Sequence, residues 1–183
     1  MSYSNSSTNV SGEKKEKIVL NYLSKKYNVK RYINDYYIDE WGQEKYNQNY
    51  IHNGKTYKCP DLYLLETGSG NNIVLRIEVK GFREVNKTAF SKAETVLIEE
   101  YKFDSYVDLM MAEEIESCVV FVIGNENSGD LYFYWETLSN LLNIKHKEGW
   151  EFGTNCLFWR TQDLKFGLDG FLGYIDEYME NYW

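Results

Sequence analysis

The chain has 183 residues, of which 43% are hydrophobic and 26% are charged. These proportions are typical of a compact domain with a substantial core, and they exclude a fibrous or wholly disordered chain. The formal net charge of −8 also excludes a protein that coats nucleic acid through a broad positive surface, so any such contact should be local or assisted by a metal ion.

Residues 1–11 are rich in Ser and Asn, and we expect them to form a disordered tail. They contain no apolar run of the kind found in a signal peptide, and no run in the chain approaches the ~20 apolar residues that span a bilayer. We therefore expect a cytoplasmic protein without membrane contact. Cys59, Cys118 and Cys156 lie far apart and lack zinc-ligand spacing, which favours buried apolar thiols.

The N-terminal half begins with a helical pattern over residues 12–27, where apolar residues recur every three or four positions. Residues 28–40 then predict a strand and residues 40–49 a polar loop. Asn53-Gly54, between two short aromatic runs, predicts a tight β-hairpin.

After a second hairpin at residues 59–81, Ser91 and Glu94 form a capping-box pattern. This pattern predicts a helix from Ser91 to about residue 114.

The C-terminal half alternates strands and helices. The predictions are a buried strand at 117–125, a partner strand at 130–135 across Asn125–Gly129, a short helix at 136–142, a late strand at 155–161 and a helix at 169–183. The order of elements predicts a single α/β (α+β) domain over residues 12–183.

The hairpin at residues 59–81 has its turn residues at 67–72, where two glycines and two asparagines cluster. Asp61 and Glu78 are equally distant from the centre of this turn, so counting places them opposite each other, although a β-bulge would shift the pairing by one.

Side chains alternate between the two faces of a strand. One face of the second hairpin strand is then apolar, and the other combines apolar and charged residues. The apolar face carries Ile73, Leu75, Ile77 and Val79, and the other carries Val74, Arg76, Glu78 and Lys80.

The pairing brings the carboxylates of Asp61 and Glu78 together with the ammonium of Lys80. Opposed carboxylates repel each other and raise one another's proton affinity. Lys80 offsets part of that cost, and a divalent cation such as Mg²⁺ would offset the rest. An ordinary surface cluster of Asp, Glu and Lys is the alternative explanation.

Pro60-Asp61, then sixteen residues, then Glu78-Val79-Lys80 resembles the motif of the PD-(D/E)xK nucleases. This superfamily contains restriction endonucleases and Holliday-junction resolvases. The resemblance covers about residues 12–124, and the last 60 residues match nothing that we can name. It implies a restriction-endonuclease-like fold, in which helices flank a mixed central sheet.

Members of this superfamily often carry a glutamate on the first helix, a few residues after a glycine. Here Gly12 precedes Glu13 and Glu16. Glu16 is our choice and Glu13 the alternative, while favourable acidic charge in the first turn of a helix would explain either residue. Glu94 is a weaker candidate on the later helix, because the capping box already explains it.

The resemblance implies metal-dependent hydrolysis of phosphodiester bonds. Asp61, Glu78 and the backbone carbonyl of Val79 would hold Mg²⁺, for which Mn²⁺ could substitute. Lys80 would contact the phosphate or activate the attacking water, and Glu16 would position water or a second ion.

The implied partner is nucleic acid, with DNA favoured over RNA and endonuclease over exonuclease activity. Restriction, repair and phage defence are all open as biological roles. Double-strand cleavage by so small a domain would require a homodimer.

A non-catalytic binding, regulatory or inhibitor protein on the same fold is the main alternative, because it fits the acidic charge and small size. The retained carboxylate pair argues against it. An unrelated structural α+β protein is the third hypothesis.

Several further residues have two explanations. Arg76 either contacts phosphate, or it is a solvated strand residue or pairs with Glu66. Gly81 would let the backbone leave the sheet near the substrate. We expect His52 and His146 to be surface residues.

An aromatic cluster before the site would stack on bases or form a partner surface. It contains Tyr36, Tyr37, Trp41, Tyr46 and Tyr50.

Overall fold

The structure is a computed structural model that describes residues 6–33, 35–38, 44–66, 71–86 and 93–181. Its helices are α1 (Ser6–Leu23), α2 (Glu100–Glu113), α3 (Leu138–Leu141) and α4 (Leu168–Asn181). Its strands are β1 (Val29–Arg31), β2 (Asp35–Ile38), β3 (Glu44–Asn47), β4 (Asn49–His52), β5 (Lys55–Lys58), β6 (Leu62–Leu65), β7 (Ile73–Phe82), β8 (Thr95–Glu99), β9 (Ser117–Asn125), β10 (Asp130–Thr137), β11 (Lys147–Glu151), β12 (Thr154–Arg160) and β13 (Lys165–Phe166).

The centre of the fold is a six-stranded sheet in the order β1-β6-β7-β9-β10-β13. β7 pairs with β9 in parallel, whereas the other neighbours are antiparallel. A second sheet has the order β11-β12-β8, and β2-β3 and β4-β5 form two-stranded ribbons. The prediction of a mixed central sheet flanked by helices is therefore confirmed.

Both faces of the central sheet are covered. Val19 of α1 and Phe171 of α4 belong to the core cluster on one face, together with Ile77 and Val120. On the other face, Phe103 and Tyr106 of α2 pack in a second cluster with residues of β8, β9 and β12. Because β7 lies between two hydrophobic layers, any charged side chain on it must have a partner or a ligand.

The hairpin formed by β6 and β7 has the register that counting predicted. Leu62 lies opposite Ile77, and Tyr63 lies opposite Arg76. The same register places Asp61 opposite Glu78. A bulge is present between Leu64 and Leu65, but it lies toward the turn and leaves the pairing at the charged end unchanged.

The helix predicted from Ser91 is wrong in its first part. Residues Thr95–Glu99 form β8, and α2 begins only at Glu100; Ser91 lies outside the described residues. The run Thr95–Ile98 is buried and pairs with β12. A β-branched, apolar run with a strand partner is more stable as a strand, whatever capping pattern precedes it.

Helix α1 also differs from its prediction, since it spans Ser6–Leu23 instead of 12–27. It begins inside the segment 1–11 that we expected to be a disordered tail. Adding residues to an existing helix costs much less than nucleating one, so weak helix formers can extend it. After Leu23 the chain forms a turn, in which Lys26 N donates to Leu23 O at 3.0 Å.

The region between α1 and the first tight hairpin is more regular than predicted. The strand expected at 28–40 is divided into β1 and β2, and the loop expected at 40–49 contains β3, which pairs with β2. Cross-strand pairing overrides the polar composition of this segment. The hairpin at Asn53-Gly54 is confirmed by β4 and β5.

The late strand β12 belongs to the core, because Cys156, Leu157, Phe158 and Trp159 are all buried. The predictions for 117–125, 130–135 and the C-terminal helix are likewise confirmed by β9, β10 and α4. Residues 182–183 lie outside the described residues. None of the helices within the described ranges is long and apolar enough to cross a membrane.

Candidate active site

Asp61 immediately precedes β6. Its carboxylate accepts a backbone hydrogen bond from β7 that a carbonyl oxygen of the neighbouring strand would accept in a regular ladder. Only 8% of Asp61 is exposed. Its Oδ2 accepts a hydrogen bond from the backbone N–H of Val79 at 2.9 Å, and its Oδ1 accepts one from Gln48 Nε2. These two bonds fix the carboxylate at the edge of β7.

Val79 offers a second polar group at the same edge. In a strand, the N–H and C=O groups of one residue point to the same side. Because the N–H of Val79 points at Asp61, its carbonyl oxygen also faces this end of β6. The backbone therefore presents an oxygen donor beside the Asp61 carboxylate.

Glu78 and Lys80 lie on one face of β7 and contact each other. Lys80 Nζ is 3.0 Å from Glu78 Oε1. Glu78 is 3% exposed, and its second oxygen, Oε2, is buried without a hydrogen bond from the residues that the structure describes. A buried carboxylate oxygen without a partner is costly, so this atom has spare capacity for a ligand.

Glu16 of α1 faces the same cluster, whereas Glu13 is exposed. Glu16 is 8% exposed and forms an ion pair with Arg31, whose Nη2 donates to Oε2 at 3.2 Å. Burial raises the pKa of Glu16, Arg31 partly offsets this rise, and Glu78 adds to it. Of our two candidates on α1, Glu16 is thus the one that lies beside the carboxylates.

The carboxylates share one electrostatic environment. Burial and the charge of Glu16 raise the pKa of Asp61 above its ordinary range. Burial and the charge of Asp61 raise the pKa of Glu78 to about 7. Burial alone would lower the pKa of Lys80, but Glu78 and Glu99 raise it above its ordinary value, so Lys80 stays an ammonium.

Glu99 at the end of β8 is a site residue that the sequence analysis missed. Its Oε2 accepts from Lys80 Nζ at 3.1 Å and its Oε1 from Lys102 Nζ at 2.7 Å. Burial would raise its pKa, but the two lysines hold it at about 2. Glu94, our weaker candidate, is exposed instead, and its backbone carbonyl accepts from Thr161.

The error arose because the capping pattern placed this segment in a helix. An acid that ends a β-branched run, three residues before a lysine, was the signal that could have identified Glu99. Gln48 was missed in the same way, because the segment 40–49 was interpreted as a polar loop.

Arg76 does not belong to the cluster. Its Nε and Nη2 donate to Glu113 Oε2 at 2.9 and 2.8 Å, and its Nη1 donates to Cys59 Sγ at 3.0 Å. The guanidinium also lies over the ring of Tyr50, 4.8 Å from its centroid. Arg76 is 1% exposed, so all three expectations for it, phosphate contact, a solvated position and pairing with Glu66, are wrong.

Tyr50 is consequently a packing residue and not part of an open stacking surface. The side chains of Tyr36, Tyr37, Trp41 and Tyr46 lie outside the described residues. His146 packs against Trp159, with 5.6 Å between ring centroids, and His52 Nδ1 lies 3.6 Å from Glu113.

Gly81 has a different role from the one expected. β7 continues through Phe82, so the backbone does not leave the sheet at this point. A Cβ atom on Gly81 would lie 2.8 Å from Cδ of Lys15. The missing side chain lets α1 approach β7 closely, and this approach brings Glu16 to the cluster.

No three His, Cys, Asp or Glu side chains within the described ranges converge closely enough to hold a metal ion by themselves. Mg²⁺, however, is typically bound by one or two carboxylates completed by water and substrate oxygens. The free Oε2 of Glu78, the carboxylate of Asp61 and the carbonyl of Val79 form a donor set of this kind. The residues therefore fit such an ion.

Neither a protein-family model nor a curated protein matches this sequence. Among solved structures, it is similar to D212, a nuclease from a fusselovirus, at 15% identity over 93% of each chain with a TM-score of 0.50. It is also similar to Hjc, a Holliday junction resolvase from Archaeoglobus fulgidus, at 14% identity over 81% of this chain and 83% of that one, with a TM-score of 0.45. The fusselovirus structure supports the assignment of the restriction-endonuclease-like fold.

Proposed function

We propose that this protein is a metal-dependent nuclease that hydrolyses phosphodiester bonds, with DNA as the favoured substrate. The observation that carries the proposal is the buried convergence of Asp61, Glu78 and Lys80, in which Oε2 of Glu78 has no hydrogen-bond partner among the described residues. These residues are also those of the PD-(D/E)xK motif.

The charges of the cluster support the need for a cation. Among the described residues, four carboxylates meet three cationic groups, so this part of the cluster has one negative charge in excess when all are ionised. The carboxylates belong to Glu16, Asp61, Glu78 and Glu99, and the cationic groups to Arg31, Lys80 and Lys102. A divalent ion at Asp61 and Glu78 would relieve the repulsion that raises their pKa values.

Each residue has a role that its contacts support. Asp61, oriented by Val79 and Gln48, and Glu78 would hold Mg²⁺ or Mn²⁺ together with the Val79 carbonyl. The bound ion would neutralise developing charge on the phosphate and lower the pKa of a bound water.

Lys80 stays protonated beside the cluster. Its ammonium would contact a phosphate oxygen and stabilise negative charge as the bond breaks. Glu99 holds this ammonium through a 3.1 Å bond and acts as a positioning residue. Glu16, with its raised pKa, would hold a water or a second ion near the phosphate.

The acidic surface of the protein is consistent with this chemistry. With a net charge of −8, affinity for a polyanion must come from the ion and a few local cations. We further propose endonuclease activity and, for cleavage of both strands of a duplex, a homodimer.

The test uses circular substrates, which only an endonuclease can cleave. Purified protein is incubated with supercoiled plasmid, circular single-stranded DNA and circular RNA, in Mg²⁺, Mn²⁺ or EDTA. We expect DNA cleavage with either ion and none in EDTA. Glu78→Gln and Lys80→Met should each reduce the rate on the order of 100-fold or more.

Glu66→Gln is the matched control, since the hydrogen bonds of Glu66 to other described residues go to Asn72, outside the charged cluster. This variant should cleave at the wild-type rate. If folded wild-type protein leaves all three circles intact with both ions, the endonuclease proposal is overturned, and the non-catalytic binding protein becomes the better hypothesis.

A further inference from the structure

The hairpin formed by β11 and β12 exposes two aromatic side chains at its turn. Trp150 is 70% exposed and Phe152 is 75% exposed. Phe152 and Gly153 occupy the turn with φ angles of 51° and 79°. A bulky residue at positive φ is sterically unfavourable, so this turn contains a residue that its backbone does not favour.

The same chain contains a matched turn in the β4-β5 hairpin. There Asn53 and Gly54 have φ angles of 48° and 78°, nearly those of Phe152 and Gly153. Asn tolerates this conformation and is preferred in such turns. The backbone geometry therefore does not require Phe152, and an exposed ring held at a backbone cost indicates a binding role.

The strand register places this turn beside the candidate active site. β12 pairs with β8 so that Cys156 lies opposite Glu99, and Glu99 binds Lys80 at 3.1 Å. Strand residues advance by about 3.4 Å each. The turn thus lies on the order of 10 Å from Glu99 along the strand.

A cleft of about 350 Å³ separates the turn from the segment that follows Lys80. This volume lies within the range of small-ligand sites. The walls are partly apolar and partly acidic. They include Phe82, Leu97, Phe152, Thr95, Glu84 and Glu151. Because side chains alternate along a strand, Phe82 lies on the same face of β7 as Lys80.

The chemistry of these walls selects a base and not a phosphate. The carboxylates of Glu84 and Glu151 repel phosphate but accept hydrogen bonds from the amino groups of bases. Phe152 offers an exposed flat apolar face on which a base can stack. Phe82, whose ring stacks on Phe121 with 6.5 Å between centroids, adds an apolar wall. A paired base inside a duplex cannot enter such a cleft, whereas an unpaired base can.

We propose that this cleft binds an unpaired base next to the scissile phosphate, with Phe152 as its stacking residue. The inference rests on the proposed nuclease function and narrows its substrate to nucleic acid with unpaired nucleotides.

The test compares two labelled substrates, a continuous duplex and the same duplex with a three-nucleotide unpaired segment. Wild-type protein in Mg²⁺ should cleave the second at least about 10-fold faster, the scale of one base–aromatic stack. Phe152→Asn should abolish this preference, and Phe152→Trp should preserve it. In Mg²⁺, 2-aminopurine fluorescence in the unpaired segment should be quenched by the cleavage-deficient Lys80→Met variant, and less by the double variant that also carries Phe152→Asn.

The melting temperature distinguishes a binding role of Phe152 from a structural role. Asn suits positive φ, so Phe152→Asn should melt at the same temperature as wild type or higher. Phe166→Asn is the control and should keep the preference, because Phe166 is also exposed, at 63%, but lies on the edge strand β13 and does not line the cleft.

Three outcomes would overturn the inference. If wild type and Phe152→Asn cleave both substrates with equal preference, the nuclease proposal stands and the base-binding cleft does not. If Phe152→Asn melts at a lower temperature, Phe152 is a structural residue. If folded wild type cleaves neither substrate in Mg²⁺ or Mn²⁺, the nuclease proposal fails together with this inference.

Discussion

Two buried charges on one face of β7 have opposite surroundings. Arg76 donates two hydrogen bonds to Glu113 and a third to Cys59. Glu78, two residues later, has one oxygen bound by Lys80 and the other without a partner among the described residues. The first charge is balanced within the protein, whereas the second belongs to a set with excess negative charge.

This difference distinguishes a charge pair that stabilises the fold from a set of charged residues that can bind a ligand. A balanced buried pair fixes the docking of one element on another, here β5 and α2 on the sheet, and needs nothing further. An unbalanced set raises the free energy of the folded protein unless a ligand supplies the missing charge. The comparison therefore predicts different responses to mutation, metal and pH at the two positions.

The largest effect is expected at the balanced pair. Glu113→Gln removes the counter-charge of Arg76, which is 1% exposed, and should lower the free energy of unfolding by about 3–5 kcal/mol. Urea unfolding of the metal-free protein measures this change. Asp104→Asn, an exposed position on the same helix, is the control. A loss below about 1 kcal/mol would contradict a structural role for the Arg76–Glu113 pair.

Metal should stabilise the unbalanced set. At a free Mg²⁺ or Mn²⁺ concentration 100 times Kd, binding adds about 2.7 kcal/mol to the free energy of unfolding. The melting temperature of wild type should therefore rise when EDTA is replaced by metal, and that of Glu78→Gln should not. An equal rise in both proteins would place the ion elsewhere.

Stability in EDTA should depend on pH through Glu78. Folded Glu78 has a pKa of about 7, above its ordinary 4.5, so the folded state binds this proton more tightly than the unfolded state does. Stability should consequently fall by about 2 kcal/mol as the pH rises from 4.5 to 7. Asp61 and Glu16 add slopes of the same sign.

Glu78→Gln should flatten the part of this slope that belongs to Glu78. Glu99 cannot account for it, because its pKa is lowered to about 2. The stability that Glu99 contributes is lost only as the pH falls from its ordinary pKa through 2. A wild-type stability that stays constant or rises between pH 4.5 and 7 in EDTA would contradict the raised pKa values.

The smallest effect is expected from Asp61→Asn in EDTA. The amide keeps an oxygen for the N–H of Val79. Gln48, which donates to the other oxygen, can turn its own side-chain oxygen toward the new NH2 group. Because a repelling charge is removed, the free energy of unfolding should stay constant or rise by up to about 1 kcal/mol. Urea unfolding of wild type and variant measures the difference. A clear loss of stability would show that Asp61 is structural, like Glu113.

The central hairpin could be predicted because its information is local. The turn residues at 67–72 set the register, and alternation then decides which side chains share a face with Glu78. Glu99 and Gln48 could not be found this way, because their positions depend on pairing between distant segments. β8 forms a strand because it pairs with β12, which lies some sixty residues later in the chain.

Arg76 shows the same limit of local sequence information. Alternation correctly placed it on the face of Glu78 and Lys80, but its partner comes from α2, more than thirty residues away. The alternation of side chains along one strand shows on which face of the sheet a residue lies. It does not show which residues that side chain contacts. The role of Gly81 was missed for this reason too, since the close approach of Lys15 belongs to the packing of α1.

The parallel pairing of β7 with β9 has a consequence for biosynthesis. β8 and α2 lie between these strands in the chain, so β7 obtains its second neighbour only after both have been synthesised. Long-range pairing of this kind forms late in folding. While the nascent chain ends before Glu99, Lys80 has Glu78 but lacks its second carboxylate partner. The cluster is therefore assembled only when most of the protein has left the ribosome.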